Sequence, residues 1–222
     1  MQTPDIITFD CYGTLIDWES GISSAFADAA ALAGGSLSRQ NIFQSYAAIE
    51  PVVEGGRYRS YRDVLTETAI RVAADLDWTI DPVGARFLSD SLPSWKPFPD
   101  TNIALERLRE RGVRLAILSN VDDDLIAETC RHFTVPFEFI VTAQQVKSYK
   151  PAEGHFLAAR ERIGDARWLH AGASIFHDIV PTRRLGVANA WINRKGELVP
   201  SSDEARPALV FTNLAGLAEF LA

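Results

Sequence analysis

The chain has 222 residues, 47% hydrophobic and 23% charged, a soluble globular composition with length for one large domain or for a core carrying an inserted module. Its formal net charge of −7 argues against nucleic acid and anionic membrane surfaces as partners, since both demand a basic face. Two cysteines, Cys11 and Cys130, are too few for a disulfide framework, and no stretch reads as a leader or a bilayer span, so the expected location is a reducing cytoplasm.

The first element is an apolar, β-branched run that ends in Asp10, with Gly13 and Thr14 close behind. A buried strand that delivers a carboxylate into a tight turn is predicted, either as a turn cap or as a ligand-facing acid at the carboxyl end of a strand. Residues 18–95 then read as nearly all helix. An Ala-rich helix over 20–33 stops at Gly34 and Gly35, a second over 38–49 stops before Pro51, a third begins with the Ser60 and Asp63 capping pair, and a fourth starts at Asp81-Pro82 and ends before Pro93.

From Lys96 onward helix and strand alternate, the pattern of a parallel sheet covered on both faces. Strands are predicted over 113–118, 139–142, 168–171, 187–192 and 209–211, with helices between them and a surface loop over 194–207. The expected architecture is α/β: a Rossmann-like parallel sheet core formed by residues 1–17 and 96–222, with a helical cap over 18–95 inserted after the first strand.

The carboxyl ends of the predicted strands are where open α/β sheets bind ligands, and each carries polar groups. The first brings Asp10, Tyr12 and Thr14, the second Ser119 and Asn120, the third leads to Lys147 and Lys150, and the fourth ends before Ala173, Ser174 and Asp178. Lys150 and Asp178 also admit plainer readings, as a solvated lysine and as a helix cap.

The segments Asp10-Cys11-Tyr12-Gly13-Thr14, Leu118-Ser119-Asn120, Ser148-Tyr149-Lys150-Pro151 and His177-Asp178, at these spacings, resemble the haloacid dehalogenase superfamily over essentially the whole chain. Within it the chain looks most like the type II L-2-haloacid dehalogenases, and it is similar also to azetidine-2-carboxylate hydrolase. The resemblance implies that Asp10 attacks carbon and forms an ester that water hydrolyses, with Lys150 pairing Asp10 and Asp178 partnering Lys150 or orienting the water. It places Tyr12, Thr14, Ser119 and Asn120 around the substrate. Trp18 and Trp95, at the two hinges, are the aromatics expected to line a pocket.

Tyr12 stands where the commoner phosphatases of the superfamily carry an aspartate that protonates the leaving alkoxide, and with an unperturbed pKa of about 10 it is a poor acid at neutral pH. A halide needs no such proton. Ala173 stands where the first acid of a magnesium site is usual, so no cofactor is expected; a magnesium-dependent phosphatase, with Asp10 and Asp178 holding Mg2+, is the third reading. Two departures weigh against a simple dehalogenase. Ala173 and Ile175 replace the Ser and Asn of that branch, and the early cap arginine is missing, Gln44 being nearby and Arg57, Arg59 or Arg62 the substitutes on offer. The ring-opening hydrolase and a catalytically silent binding protein on the same scaffold therefore stay open. A small carboxylate is the implied partner, and a homodimer is implied by resemblance alone.

Overall fold

The computed structural model describes residues 3–221; the outermost positions of the predicted core, 1, 2 and 222, lie outside them. The chain divides into two units. The first takes residues up to Ile16, Pro97–Asn120 and everything from Arg131, and the second takes Asp17–Lys96 with Val121–Cys130. The segment 121–130, read from sequence as part of the sheet core, thus packs with the helices of the second unit.

The first unit is a six-stranded sheet of β1 (Ile6–Phe9), β2 (Arg114–Ser119), β3 (Ile140–Thr142), β4 (Trp168–Gly172), β5 (Ala188–Ile192) and β6 (Leu209–Phe211) in the order β3-β2-β1-β4-β5-β6. All five pairings are parallel. The chain winds outward from β1 in both directions, so the switch point of the topology falls beside the residue that follows β1. Every residue of β1 is buried, as expected of a central strand covered on both faces. One face packs Ile6, Ala116, Leu118 and Val141 against Phe156, Ala159 and Ile163 of the helix Gly154–Ile163.

The second unit is built on the helices Trp18–Leu32, Arg39–Glu54 and Tyr61–Asp75, started by side chains of Asp17, Ser38 and Ser60 that accept hydrogen bonds from backbone N–H groups. Two expectations are corrected here. The second helix does not stop at Pro51 but runs one turn beyond it, because Val53 is buried on the far side and Gly55 N–H closes the turn on the Pro51 carbonyl. The fourth predicted helix is three short pieces, the 3-10 turn Gly84–Arg86, the helix Phe87–Ser91 and the 3-10 turn Leu92–Ser94, with Asp81 Oδ1 capping Gly84 N–H and Pro93 inside the last turn.

Asp122 explains why the segment 121–130 belongs to this unit. Its carboxylate accepts the N–H groups of Tyr61 (3.0 Å) and Arg62 (2.9 Å), and Ser60 Oγ accepts that of Asp63, so three of the orphan donors at the start of the third helix are satisfied. Asp122→Ala is expected to lower stability by about 1–2 kcal/mol, read as a shift of the urea midpoint without a change of slope. An unchanged midpoint would show that this cap contributes nothing. Among the described residues, no helix is long and apolar enough to cross a membrane.

Candidate active site

Asp10 directly follows β1, and its N–H still bonds Ala171 O at 3.0 Å, so the neighbouring strand holds its backbone. The chain then turns sharply at Gly13, whose φ of 100° suits glycine. That turn folds Thr14 back onto Asp10: Thr14 Oγ1 donates to Asp10 Oδ2 at 2.8 Å and accepts Ala173 N–H at 2.8 Å. Cys11 is fully buried and forms no disulfide among the described residues.

Lys150 approaches from the loop after β3, and its backbone is registered by Asn120. Asn120 Oδ1 accepts Lys150 N–H at 2.7 Å and Asn120 Nδ2 donates to Lys150 O at 3.1 Å. The ammonium then has three acceptors for its three protons: Asp10 Oδ1 at 2.9 Å, Leu118 O at 3.0 Å and Asp178 Oδ1 at 2.7 Å. The side chain of Lys150 is 1% exposed and that of Asp178 is fully buried, whereas Asp10 keeps 13% exposure. Of the two carboxylates, only Asp10 offers an edge to an incoming molecule.

Asp178 sits on a wide, π-type turn, Ile175–Ile179, in which Ile179 N–H reaches back to Ser174 O; the predicted helix there begins as this turn and becomes regular only over Val180–Arg184. Asp178 Oδ2 accepts Ser174 N–H at 3.1 Å. Gly172 makes room for the carboxyl group, since a Cβ there would lie 2.4 Å from Asp178 Cγ and Oδ2. Gly172→Ala is therefore expected to displace Asp178, abolish turnover and cost about 1–3 kcal/mol of stability, measured by calorimetry beside the activity assay. Full activity in that variant would show that Asp178 need not sit where it does.

The charges follow from burial and neighbours. Burial raises the Asp10 carboxyl above its ordinary value, and the Asp178 carboxylate pushes the same way, while Lys150 and Thr14 oppose both. For Asp178 burial also works upward, but Lys150 and His170 outweigh it and keep the group well below the usual carboxylate range. Burial alone would lower Lys150; the two carboxylates hold it above its ordinary value instead. The result is an ionised Lys150–Asp178 pair beside a second, more basic carboxylate.

The remaining predicted residues fall in different places. Ser119 ends β2, buried, and among the described residues its Oγ has no hydrogen-bond partner. Tyr12 is half-buried in the turn after Asp10. Trp18 begins the first helix of the second unit and packs on Phe43 and Tyr46. Trp95, expected to face a pocket, is 4% exposed, with its ring over Gly21 and its Nε1 donating to Ser91. Arg62 pairs with Asp90 and Asp124, and Arg59 donates to Val53 O, so both are engaged within the second unit.

Sequence reasoning missed several supports. Arg194, assigned to a surface loop, is mostly buried: it pairs with Asp100, donates to Thr14 O at 2.8 Å and stacks 3.8 Å from the Phe98 ring centre. Trp191 donates Nε1–H to Ala173 O at 2.9 Å and so helps hold the loop after β4. A buried indole must place its N–H, and that need was the available signal.

Among the described residues no group of three or more His, Cys, Asp or Glu side chains is arranged to hold a metal ion. Lys150 occupies the space between Asp10 and Asp178 that a cation bridging them would take, and Ala173 adds no acid, so the donor set does not fit magnesium. The arrangement can serve a nucleophile: a partly exposed carboxylate on a rigid strand end, gripped on one oxygen by an ammonium and on the other by a hydroxyl.

The family model for haloacid dehalogenase-like hydrolases matches residues 4–176. The chain is 30% identical over 202 residues to (S)-2-haloacid dehalogenase H-109 of Pseudomonas putida, covering 88% of each chain. It is 28% identical over 203 residues to haloacetate dehalogenase H-2 of Moraxella sp. (strain B), again covering 88% of each. The solved structure of L-2-haloacid dehalogenase from Xanthobacter autotrophicus has the same fold, with a TM-score of 0.80 at 20% identity over 98% of each chain. The chain belongs to the haloacid dehalogenase-like hydrolases.

Proposed function

We propose that this hydrolase cleaves the carbon–halogen bond at C2 of a small 2-haloacid, giving the 2-hydroxy acid and halide. One Asp10 oxygen attacks C2 from the side opposite the halogen; the new C–O bond forms as the carbon–halogen bond breaks, and the halide leaves with the bonding pair. Water then adds to the Asp10 ester carbonyl, the C–O bond to the enzyme acyl carbon breaks, and Asp10 is restored with release of the hydroxy acid and one proton. Lys150 keeps Asp10 ionised and balances the charge on its oxygens as the ester is hydrolysed. The Ser119 hydroxyl is the donor we assign to the substrate carboxylate, while Asn120 holds Lys150 in register.

The observation that carries this reading is the Asp10–Lys150–Asp178 cluster, a nucleophile with a tyrosine, not a carboxylic acid, two residues on. Chemistry at carbon with a leaving group that needs no proton fits such a site, and the 2-haloacid dehalogenases among the relatives agree with it. The reaction calls on no cofactor. Two cysteines outside any disulfide among the described residues fit a reducing cytoplasm as the place where it acts.

An assay panel tests the reading: halide release from both enantiomers of 2-chloropropionate, amine release from azetidine-2-carboxylate, and phosphate release with and without magnesium. Halide release from one enantiomer is the expected result. Turnover of the azetidine alone would transfer the same machinery to a carbon–nitrogen bond, and phosphate release alone would overturn attack at carbon.

A further inference from the structure

Next to the Asp10–Lys150–Asp178 cluster runs a line of polar groups that the steps above do not use. Trp168 Nε1 donates to Thr8 Oγ1 at 2.8 Å, Thr8 Oγ1 lies 2.8 Å from His170 Nδ1, and His170 Nε2 lies 3.3 Å from Asp178 Oδ1. Strand register brings these side chains together: Thr8 of β1 is the partner of His170 of β4, and Trp168 lies two residues from His170, hence on the same face of the sheet. Thr8, His170 and Asp178 are all completely buried. A histidine inside a central strand is a costly core residue unless both ring nitrogens are used.

Donor and acceptor counting sets the direction of the line. An ionised carboxylate accepts only, so the ring nitrogen that faces Asp178 Oδ1, His170 Nε2, carries the proton. In the neutral imidazole Nδ1 is then an acceptor. Thr8 Oγ1, which accepts from the Trp168 indole, turns its own proton to Nδ1. Phe156 packs edge-on against the imidazole, centroids 5.1 Å apart at 84°, and keeps the ring from turning.

We propose that His170 is a positioning residue for the reaction: held as the Nε2–H tautomer by Trp168 and Thr8, it anchors Asp178 Oδ1 so that Lys150 is shared between Asp178 and Asp10 in one geometry. The proposal rests on the catalytic reading of that cluster given above. Asp178 Oδ1 accepts from both Lys150 and His170. With the His170 bond gone, Asp178 turns further onto the ammonium, Lys150 follows it, and the grip on Asp10 loosens. The strand that carries His170 thus sets the nucleophile's geometry through two intermediates, without touching substrate.

The test begins without substrate. In protein carrying 15N-labelled histidine, long-range 1H–15N correlation spectra, with His170 assigned by its loss in His170→Gln, are expected to show the Nε2–H tautomer in the wild type. Thr8→Val is expected to shift that signal toward a tautomer mixture. A wild-type Nδ1–H pattern overturns the proposal. Kinetics then separate position from packing, since a glutamine amide falls near Nε2 and an asparagine amide near Nδ1. His170→Asn and His170→Phe are expected to lose about 10- to 100-fold in kcat with little change in KM, while His170→Gln recovers to within about 5-fold of the wild type. Equal losses in Gln and Asn, or no loss in Phe, overturn it as well. If the wild type releases no halide, the dehalogenase reading fails on its own, and the spectra still decide the tautomer.

Discussion

Asp10→Asn is expected to reduce halide release by about four orders of magnitude or more while leaving the fold intact, because the amide keeps the shape of the carboxyl group but has no nucleophilic oxygen. Stability should rise at neutral pH. Burial raises the Asp10 carboxyl, so the wild-type group contributes stability below its ordinary value of 3.8 that is lost as pH rises through the folded-state value. The amide removes that loss, and the two proteins should converge in acid. The same direction of shift places the acid limb of kcat/KM above 3.8, since only the ionised form attacks. Intact-mass spectra under single turnover with substrate should show an adduct on the wild type, located to the peptide bearing Asp10, and none on the variant. Rapid turnover by Asp10→Asn, faster than deamidation regenerates the acid, would remove the mechanism.

Lys150→Met is expected to have the larger structural effect. It leaves Asp10 and Asp178 side by side without the ammonium that bonds both, at 2.9 and 2.7 Å, and breaking a buried pair in this way costs about 3–5 kcal/mol. Turnover should fall with it. The pH dependence has a definite sign. Asp178 is held low, so its contribution is present above the ordinary carboxylate range and is lost only as pH falls through the depressed value. Lys150 is held high, so its contribution is present below its ordinary value and is lost as pH rises through the raised one. The wild-type pair is thus ionised throughout the neutral range, whereas the variant's two buried carboxyls, without their cation, are raised and lose stability as pH rises. The destabilisation in Lys150→Met should therefore grow with pH, measured as urea midpoints. Adding Asp178→Asn to Lys150→Met should return much of the stability and none of the activity, because the buried uncompensated charge is gone but the nucleophile still lacks its cation. A double variant no more stable than Lys150→Met would show that the pair does not act through charge.

Both experiments separate what a side chain does for the reaction from what it does for the fold. At Asp10 the two oppose each other, as is common where a site stores an unfavourable group for later use. At Lys150 they run together. Gly172 has no side chain to react, but its missing Cβ is what admits the Asp178 carboxyl group.

What could be read from the residues alone was periodic or local. Hydrophobic runs of strand length, each followed by a polar group, announced an α/β sheet with Asp10, Ser119, Lys150 and Asp178 on its rim, because a parallel sheet buried on both faces leaves an unmistakable apolar pattern. Tyr12 and Ala173, as departures from the phosphatase pattern of the superfamily the chain resembles, point the chemistry from phosphorus towards carbon. The ends of helices were less legible: Pro51 signals a stop, but burial of Val53 beyond it carries the helix on, a tertiary effect that outweighs a local one. Only the folded chain decided that Lys150 has all three protons engaged, that Asn120 registers the lysine, and that the Trp95 ring lies over Gly21. Only the pairing of β1 with β4 set Thr8 against His170 and put both behind Asp178. The physical reason is the same in each case. Apolar periodicity is a property of neighbouring residues and survives in one dimension, whereas a hydrogen bond between residues 140 or 162 positions apart exists only where strand register brings its two ends together.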